Sequence, residues 1–486
     1  MTLKNKNLNS GQISFQILIF GSVAVLFLAG FLVWLDTTTK SILRAFDREQ
    51  ALTIAEAGIE YYRWHLAHAP QDYTDGATST GPYVHSYYDK NNNLIGAFSL
   101  TITPPQVGST VVTIESSGKV MADPSIEKII KVRMGVPSFA KYAAVLNANV
   151  RFGQGTEVFG AIHSNGGVRF DGLAHNLVTG ALASYNDPDH TGNNEFGVHT
   201  HVNPPPGSGI NDNFRPLEAP TSTVQNRTDV FLAGRNFPVP AVDFTGITQD
   251  LAQMRADSLI NGFHASSSSA SGYNVVFQTN GTFNLFRVNS LISPSSTCDA
   301  ASQSGWGSWS VKTETLLANY PMPNNGLIFL EDNVWVSGQI NGSRVTVASA
   351  RFPDNPATRS SITVNHNLLY TNYDGTDVIS LIAQNNINIG LVSDNVIRVD
   401  AALMAQNGRV GRYYYESPGC SPYHVRSTIT TFGMIGSSQR YGFAYTDSTG
   451  YQTRNLNYDS NLLYSPPPSF HLTTDAYETI SWDEIR

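Results

Sequence analysis

Residues 13–35 contain no charged side chain, and the helix-compatible pattern that begins there does not break until residue 69. At 1.5 Å per residue the charge-free run alone spans about 35 Å, enough to cross the hydrocarbon core of a bilayer. No proline and only three glycines (Gly21, Gly30, Gly58) interrupt residues 12–69, so a single helix of about 87 Å is expected. Lys4 and Lys6 precede the run and Asp36 follows it, which places the N-terminus in the cytoplasm and the bulk of the chain outside. The run exceeds the apolar core of about 7–15 residues in a cleaved signal peptide, so it is expected to be retained.

The continuation differs chemically from the run that starts it. Leu52, Ala55, Ile59, Tyr62 and Leu66 recur at alternating three- and four-residue spacing, while Arg44, Asp47, Arg48, Glu49, Glu56, Glu60 and Arg63 take the other faces. Such a helix meets lipid or other helices along its first half and lies on a globular domain along its second. Pro70 ends it, and Asp75-Gly76 reads as a turn.

Around this helix the residues resemble a known family. Gly11 before a long apolar helix, then Arg44-Ala45-Phe46-Asp47-Arg48-Glu49-Gln50-Ala51-Leu52 and Ala55-Glu56-Ala57-Gly58-Ile59-Glu60, is similar to the N-terminal region of type IV pilin-like proteins. Minor pilins of the PilX type carry the same AEAG element. The resemblance covers about sixty residues. It implies a peptidase cut between Gly11 and Gln12, assembly through Gln16, Leu52, Ala55, Ile59 and Tyr62, and other pilin-like subunits as partners. Typical pilins have Phe as the first mature residue and Glu as the fifth; this chain has Gln12 and Gln16 there. Gln16 hydrogen-bonds but supplies no charge, which directs the expectation to a minor, tip-located or anchored role.

The remaining 417 or so residues are too many for one ordinary core. Only 14% of the chain is charged and 40 residues are glycine, which favours extended β architecture with many turns. Strand patterns at 97–104, 111–117 and 128–136 predict a small β-sheet unit packed on the helix. Beyond residue 141 short apolar bursts end in Asn or Gly. Leu381-Ile382-Ala383-Gln384-Asn385 recurs 22 residues later as Leu403-Met404-Ala405-Gln406-Asn407, and Ala161–Val168 has the same outline. A repeat of that length fits the coils of a right-handed β-solenoid, in which stacking buries what one coil cannot. A β-sandwich, with turns about every 8–12 residues, is the alternative.

The expected organisation is a cytoplasmic leader at 1–11, a transmembrane and assembly helix at 12–69, and a small β-sheet domain at 70–140. First solenoid coils follow at 141–202, an insertion with a short helix (Thr248–Ile260) at 203–290, the main solenoid at 291–445 and a C-terminal cap at 446–486. In that helix Leu251, Met254, Leu259 and Ile260 are expected on the apolar side.

No catalytic constellation stands out. Asp394, Arg398, Asp400 and Arg409 are the carboxylate and basic residues of the regular coils, and the Arg398–Asp400 alternation reads as a shared outward face, solvated or salt-bridged. His199 and His201 flank Thr200 with Glu195 nearby, and His163, His175 and His190 lie in the same stretch. Without a third ligand at a telling distance they read as exposed loop histidines. Asp187, Asp189 and Asn193 lack the Gly and closing Glu of a calcium loop. No metal or other cofactor is therefore expected. A net charge of −8 without a basic block excludes nucleic acid as an expected partner. Cys298 and Cys420, outside any CxxC, are candidates for one disulfide.

The sequence thus points to a surface structural or adhesive protein of the cell envelope, not an enzyme. Its expected partners are the inner membrane, pilin-like subunits and a surface glycan or protein ligand. The alternative is a membrane-anchored β-helix enzyme acting on surface polysaccharide.

Overall fold

The computed structural model describes residues 10–485, except 107, 139, 245, 299–302, 471 and 473–475. The chain is mostly β with one long N-terminal helix, α1, Ser10–His68. It forms two compact units, one of Met1–Pro105, Val111–Gly135 and Asp475–Arg486, the other of Gln106–Thr110 and Val136–Thr474.

In the first unit α1 is long and apolar enough to cross a membrane, and its apolar stretch is not buried at all. Phe27, for instance, is 77% exposed. The second half packs on an antiparallel sheet of β1 (Tyr83–Tyr88), β2 (Leu94–Thr103), β3 (Val112–Val120) and β4 (Glu127–Gly135). Burial alternates along β3, so Val112, Ile114 and Val120 face the helix side while their neighbours stay partly exposed. Ala51, Ile54, Ala55, Ile59, Tyr62 and Leu66 of α1 join that core. The stripe is therefore rotated slightly from the sequence expectation. Leu52 is only partly buried, and Ala51 and Ile54 lie in the contact. One residue is 100° of helix, so a one-position error in phase moves a side chain to the rim.

Two glycines set the spacing between helix and sheet. A Cβ at Gly118 of β3 would lie 2.1 Å from the Ala51 carbonyl oxygen and 2.5 Å from the Ala55 nitrogen. A Cβ at Gly58, the glycine of the AEAG element, would lie 2.3 Å from Ser116 Oγ. Small residues at 51, 55 and 58 let the helix backbone rest directly on the strand.

The fifth strand of this sheet is Glu478–Glu484, antiparallel to β4. The segment expected as a C-terminal cap is thus divided, because Gly450–Tyr458 instead pairs in parallel within the second unit. Trp482 pairs with Val132 in the ladder, and Tyr477 Oη donates to the Pro70 carbonyl at 2.9 Å.

The second unit is built from parallel pairings that align like residues. One file runs Phe263, Ile328, Val347, Leu381, Leu403, Ile435, Ala144, Ile162 and Val178. A second runs Tyr273, Val334, Ile362, Ile387 and Val410. A third runs Leu368, Val399, Thr431, Leu456, Val158 and Ala174. Nearly all of these side chains belong to a single buried cluster. Leu381 and Leu403, equivalent positions of the sequence repeat, are directly paired. The order along the first file does not follow the chain, for Ala144–Leu146 pairs with Ile435–Ser437.

A second helix, α2 (Gly246–Asn261), covers a satellite cluster through Leu251 and Met254. Leu259 and Ile260, expected on the same side, are 58% and 75% exposed. Counting from Leu251 and Met254, the face passes through Ser258, which is buried, and leaves 259 and 260 rotated away.

The assembly helix and a candidate metal centre

Of the processing and assembly residues, the leader up to residue 9 lies outside the described residues, and α1 begins at Ser10. Gln12 and Gln16 are exposed on the apolar half, four residues apart and so on one face. Ala55, Ile59 and Tyr62 are brought together against the sheet, and Leu52 borders them. The fully buried Tyr62 closes the helix end by donating from Oη to the Asp72 carbonyl at 2.8 Å.

Cys298 and Cys420 form a disulfide with Cα atoms 4.6 Å apart and a sequence separation of 122. It is buried among Leu391, Tyr413 and Tyr415, with Trp306 and Trp309 alongside. Replacing both cysteines with alanine is expected to cost about 2–4 kcal/mol. The loss should appear as earlier thermal unfolding and faster proteolysis near 292–310 and 413–424. An unchanged melting curve would mean that packing alone holds these segments.

The residues considered for catalysis are occupied structurally. Asp400 is completely buried. It accepts from Arg398 Nε at 2.8 Å, Tyr373 Oη at 2.7 Å and the Tyr370 nitrogen at 3.1 Å. The salt bridge expected for this pair is formed, but Asp400 faces inward and only Arg398, whose side chain is 43% exposed, meets solvent. Asp394 pairs with His366 at 3.0 Å, and Arg409 lies over the Tyr413 ring.

The histidines are a correction of greater consequence. His199 and His201, expected on an exposed loop, are fully buried. The strand Val198–His199 runs parallel to Val168–Phe170, with His199 opposite Arg169, and Glu195–Phe196 pairs antiparallel to Ser184–Tyr185. These two short pairings bring Asp187, His190, Glu195, His199 and His201 together. Asp187, His190, Glu195 and His201 each present one ligand-type atom, all within 4.8 Å of one another. Nε2 of His190, His199 and His201 lies 2.9, 3.0 and 3.1 Å from the same atom, Glu195 Oε2. Asp187 Oδ2 lies 3.6 Å from His199 Nε2 and 3.7 Å from His190 Nε2.

The groups behind these atoms fix their orientation. Nδ1 of His190, His199 and His201 lies 3.3, 3.2 and 2.7 Å from the carbonyl oxygens of Thr191, Phe196 and Asn211. A carbonyl only accepts, so Nδ1 carries the proton in each ring and Nε2 faces the carboxylates. Glu195 Oε1 accepts from the Arg215 nitrogen at 2.7 Å, and Asp187 Oδ1 from the Asp189 nitrogen at 3.0 Å. Arg169, fully buried, bonds Asp171 at 2.7 Å, reaches Asp187 at 3.4 Å and also pairs with Asp212.

Burial alone would raise the Glu195 and Asp187 carboxyls. Contacts from His199 to both, from His201 to Glu195 and from Arg169 to Asp187 hold them well below the usual carboxylate range. Burial opposes protonation of His199, but Asp187 and Glu195 outweigh it and raise its pKa.

The other sequence candidates stand apart. His163 is buried but satisfied by Thr179 and Asn165, each at 3.0 Å, and burial lowers its pKa. His175 pairs with Glu157 at 2.7 Å and stacks on Phe159. Asp189 is taken by Arg440 at 2.8 Å and Asn193 is exposed, so the calcium trio is not assembled. The signal that was available is density: Asp187-x-x-His190 and Glu195-x-x-x-His199-x-His201 place five ligand-type residues within fifteen positions.

No family model matches this chain. No curated protein matches it either. Among solved structures it is similar to the competence-associated pilin ComZ from Thermus thermophilus, at 12% identity over 90% of this chain and 98% of that one, with a TM-score of 0.29. A score of that size leaves the chain's function to be argued from its own residues.

Proposed function

We propose that the chain is a pilin-like protein of the bacterial envelope, inserted through α1 with its N-terminus cytoplasmic and its bulk extracytoplasmic. In this reading it is a minor or tip component of a type IV pilus-like assembly. It displays a right-handed β-solenoid head with a structural or adhesive role toward a surface glycan or protein.

The observation that carries the reading is the division of α1 into an unburied apolar half and a half seated on its own sheet. A plain anchor needs only the first. A subunit that packs by its helix needs the helix held rigidly to its globular part, as Gly118 and Gly58 allow here. The solenoid reading is supported by three parallel files of largely apolar residues around one core; sandwiches are built from antiparallel strands. Gln16 in place of a carboxylate supports a minor position over that of a major filament subunit.

The test is the native N-terminus, read by mass spectrometry, together with the location of the protein after shearing of surface filaments. Gln12 as first residue and recovery in the sheared fraction are expected. An intact leader on a chain that never leaves the inner membrane would refute assembly and leave an anchored surface protein.

A further inference from the structure

We infer that Asp187, His190, Glu195, His199 and His201 form a buried binding site for one divalent transition-metal ion of the zinc class, which holds the 186–201 segment in place. This inference does not depend on the pilin-like reading.

The geometry of lone pairs argues for it first. In their neutral form, with the proton on Nδ1, the three imidazoles direct Nε2 lone pairs at the same carboxylate oxygen, itself an acceptor. A proton on one ring would relieve one of these three contacts. A cation at their focus relieves all of them at once. His199 Nε2 adds an independent mark: it is buried, and despite its 3.0 Å approach to Glu195 it makes no hydrogen bond of acceptable geometry. A buried polar atom aimed inward and unsatisfied bears its full desolvation penalty, whereas coordination would satisfy it.

Charge balance argues in the same direction. Asp171, Asp187, Asp189, Asp212 and Glu195 bring five carboxylates to this region, and Arg151, Arg169 and Arg440 are the guanidiniums ion-paired with them. Arg215 is engaged instead with Asn203 and the His201 carbonyl. Among the described residues Glu195 has only histidines as ion-pair partners, and with neutral rings its charge is left for a cation to offset.

The ligand set selects the metal. Calcium and magnesium take oxygen ligands, whereas three imidazoles with carboxylate suit zinc or its first-row neighbours. Each imidazole is oriented by a carbonyl behind it and Glu195 by a backbone N–H, the outer-shell support typical of metal-ligating histidine and carboxylate. The ligand side chains are at most 4% exposed, which describes a closed structural site and not one open to substrate. Its mechanical use is local. The strands here are two residues long, Ser184–Tyr185, Glu195–Phe196 and Val198–His199, too short to fix the intervening turn by themselves.

The test uses the full chain, untagged and purified in detergent, loaded with zinc and dialysed against metal-free buffer. Elemental analysis is expected to give about one zinc per chain, and strong chelation to increase hydrogen exchange across 186–201 selectively. His199→Ala and the shape-conserving Glu195→Gln should each lower retained zinc to about a tenth or less, while His163→Ala, outside the centre, retains it. Less than about a fifth of an equivalent in the zinc-loaded parent chain, with exchange unchanged by chelator, would overturn the inference, because the wild-type measurement does not depend on any variant folding. Zinc retained equally by the parent, His199→Ala and Glu195→Gln chains would overturn it too.

Discussion

Arginine at both positions 24 and 28 (Ala24→Arg with Leu28→Arg) should release the protein from the membrane. Residues 13–35 contain fifteen Leu, Ile, Phe and Val residues. At about 0.3–0.6 kcal/mol each, they favour insertion by roughly 5–9 kcal/mol. Two central arginines cost about 5–7 kcal/mol on the same scale, and Leu28 no longer contributes. The balance falls to near zero. Position 24 is the midpoint of the run, where an arginine reaches the interface poorly, and none of the described residues covers this surface to offset the charge. Carbonate extraction should find most of the doubly substituted chain in the supernatant and most of the parent in the pellet. Thr37→Arg with Thr38→Arg, beyond Asp36, should leave the partition unchanged. Retention of the 24/28 variant in the pellet would show that residues 13–35 are not what holds the protein there.

Gly118→Val should undock the second half of α1 from its sheet. Even the first added carbon would sit 2.1 Å from the Ala51 carbonyl oxygen, and its near neighbours are helix backbone that cannot rotate away as a side chain could. Overpacking of a core commonly costs about 1–3 kcal/mol when side chains can adjust; here the whole helix must shift. Shifting it uncovers Ile54, Ile59, Tyr62 and Leu66, each worth about 1.5–3 kcal/mol when buried. A loss of at least about 4 kcal/mol is expected. It would be seen as a lower melting temperature and as protease cleavage between residues 44 and 68. Gly118→Ala should give a smaller change in the same direction. If the valine variant keeps full protease resistance, the sheet yields more readily than its hydrogen-bonded ladder suggests.

The apolar run and the seated half of α1 are legible along the chain, whereas the close approach of Gly118 to the helix backbone is not. Periodicity found the helix and its two halves, yet set Leu52 in the contact in place of Ala51 and Ile54. It found α2 and misjudged Leu259 and Ile260 for the same reason. Apolar spacing gives the existence of a face more securely than its centre, because neighbouring aliphatic residues compete for it. The 22-residue echo located two strands that pair in register, Leu381 with Leu403. It gave no sign that Ala144–Leu146 pairs with Ile435–Ser437, or that Glu478–Glu484 completes the sheet under α1.

What the sequence determined by itself is whatever a local period or a local charge can encode: an apolar helix of membrane-crossing length, its seated second half, and β structure with a coil-length repeat. The tertiary structure decided which strands became neighbours and which polar residues were buried together. Pairings across hundreds of residues are selected by the closure of a whole core, and no local pattern records that choice. The cluster around Glu195 belongs to this second class. His199 and His201 alternate like any strand residues, and only the parallel pairing of Val198–His199 with Val168–Phe170 and the hydrogen bond from the His201 nitrogen to buried Asp171 set them in the interior. Their chemistry was written in the sequence, but burial, which gives that chemistry its force, was not.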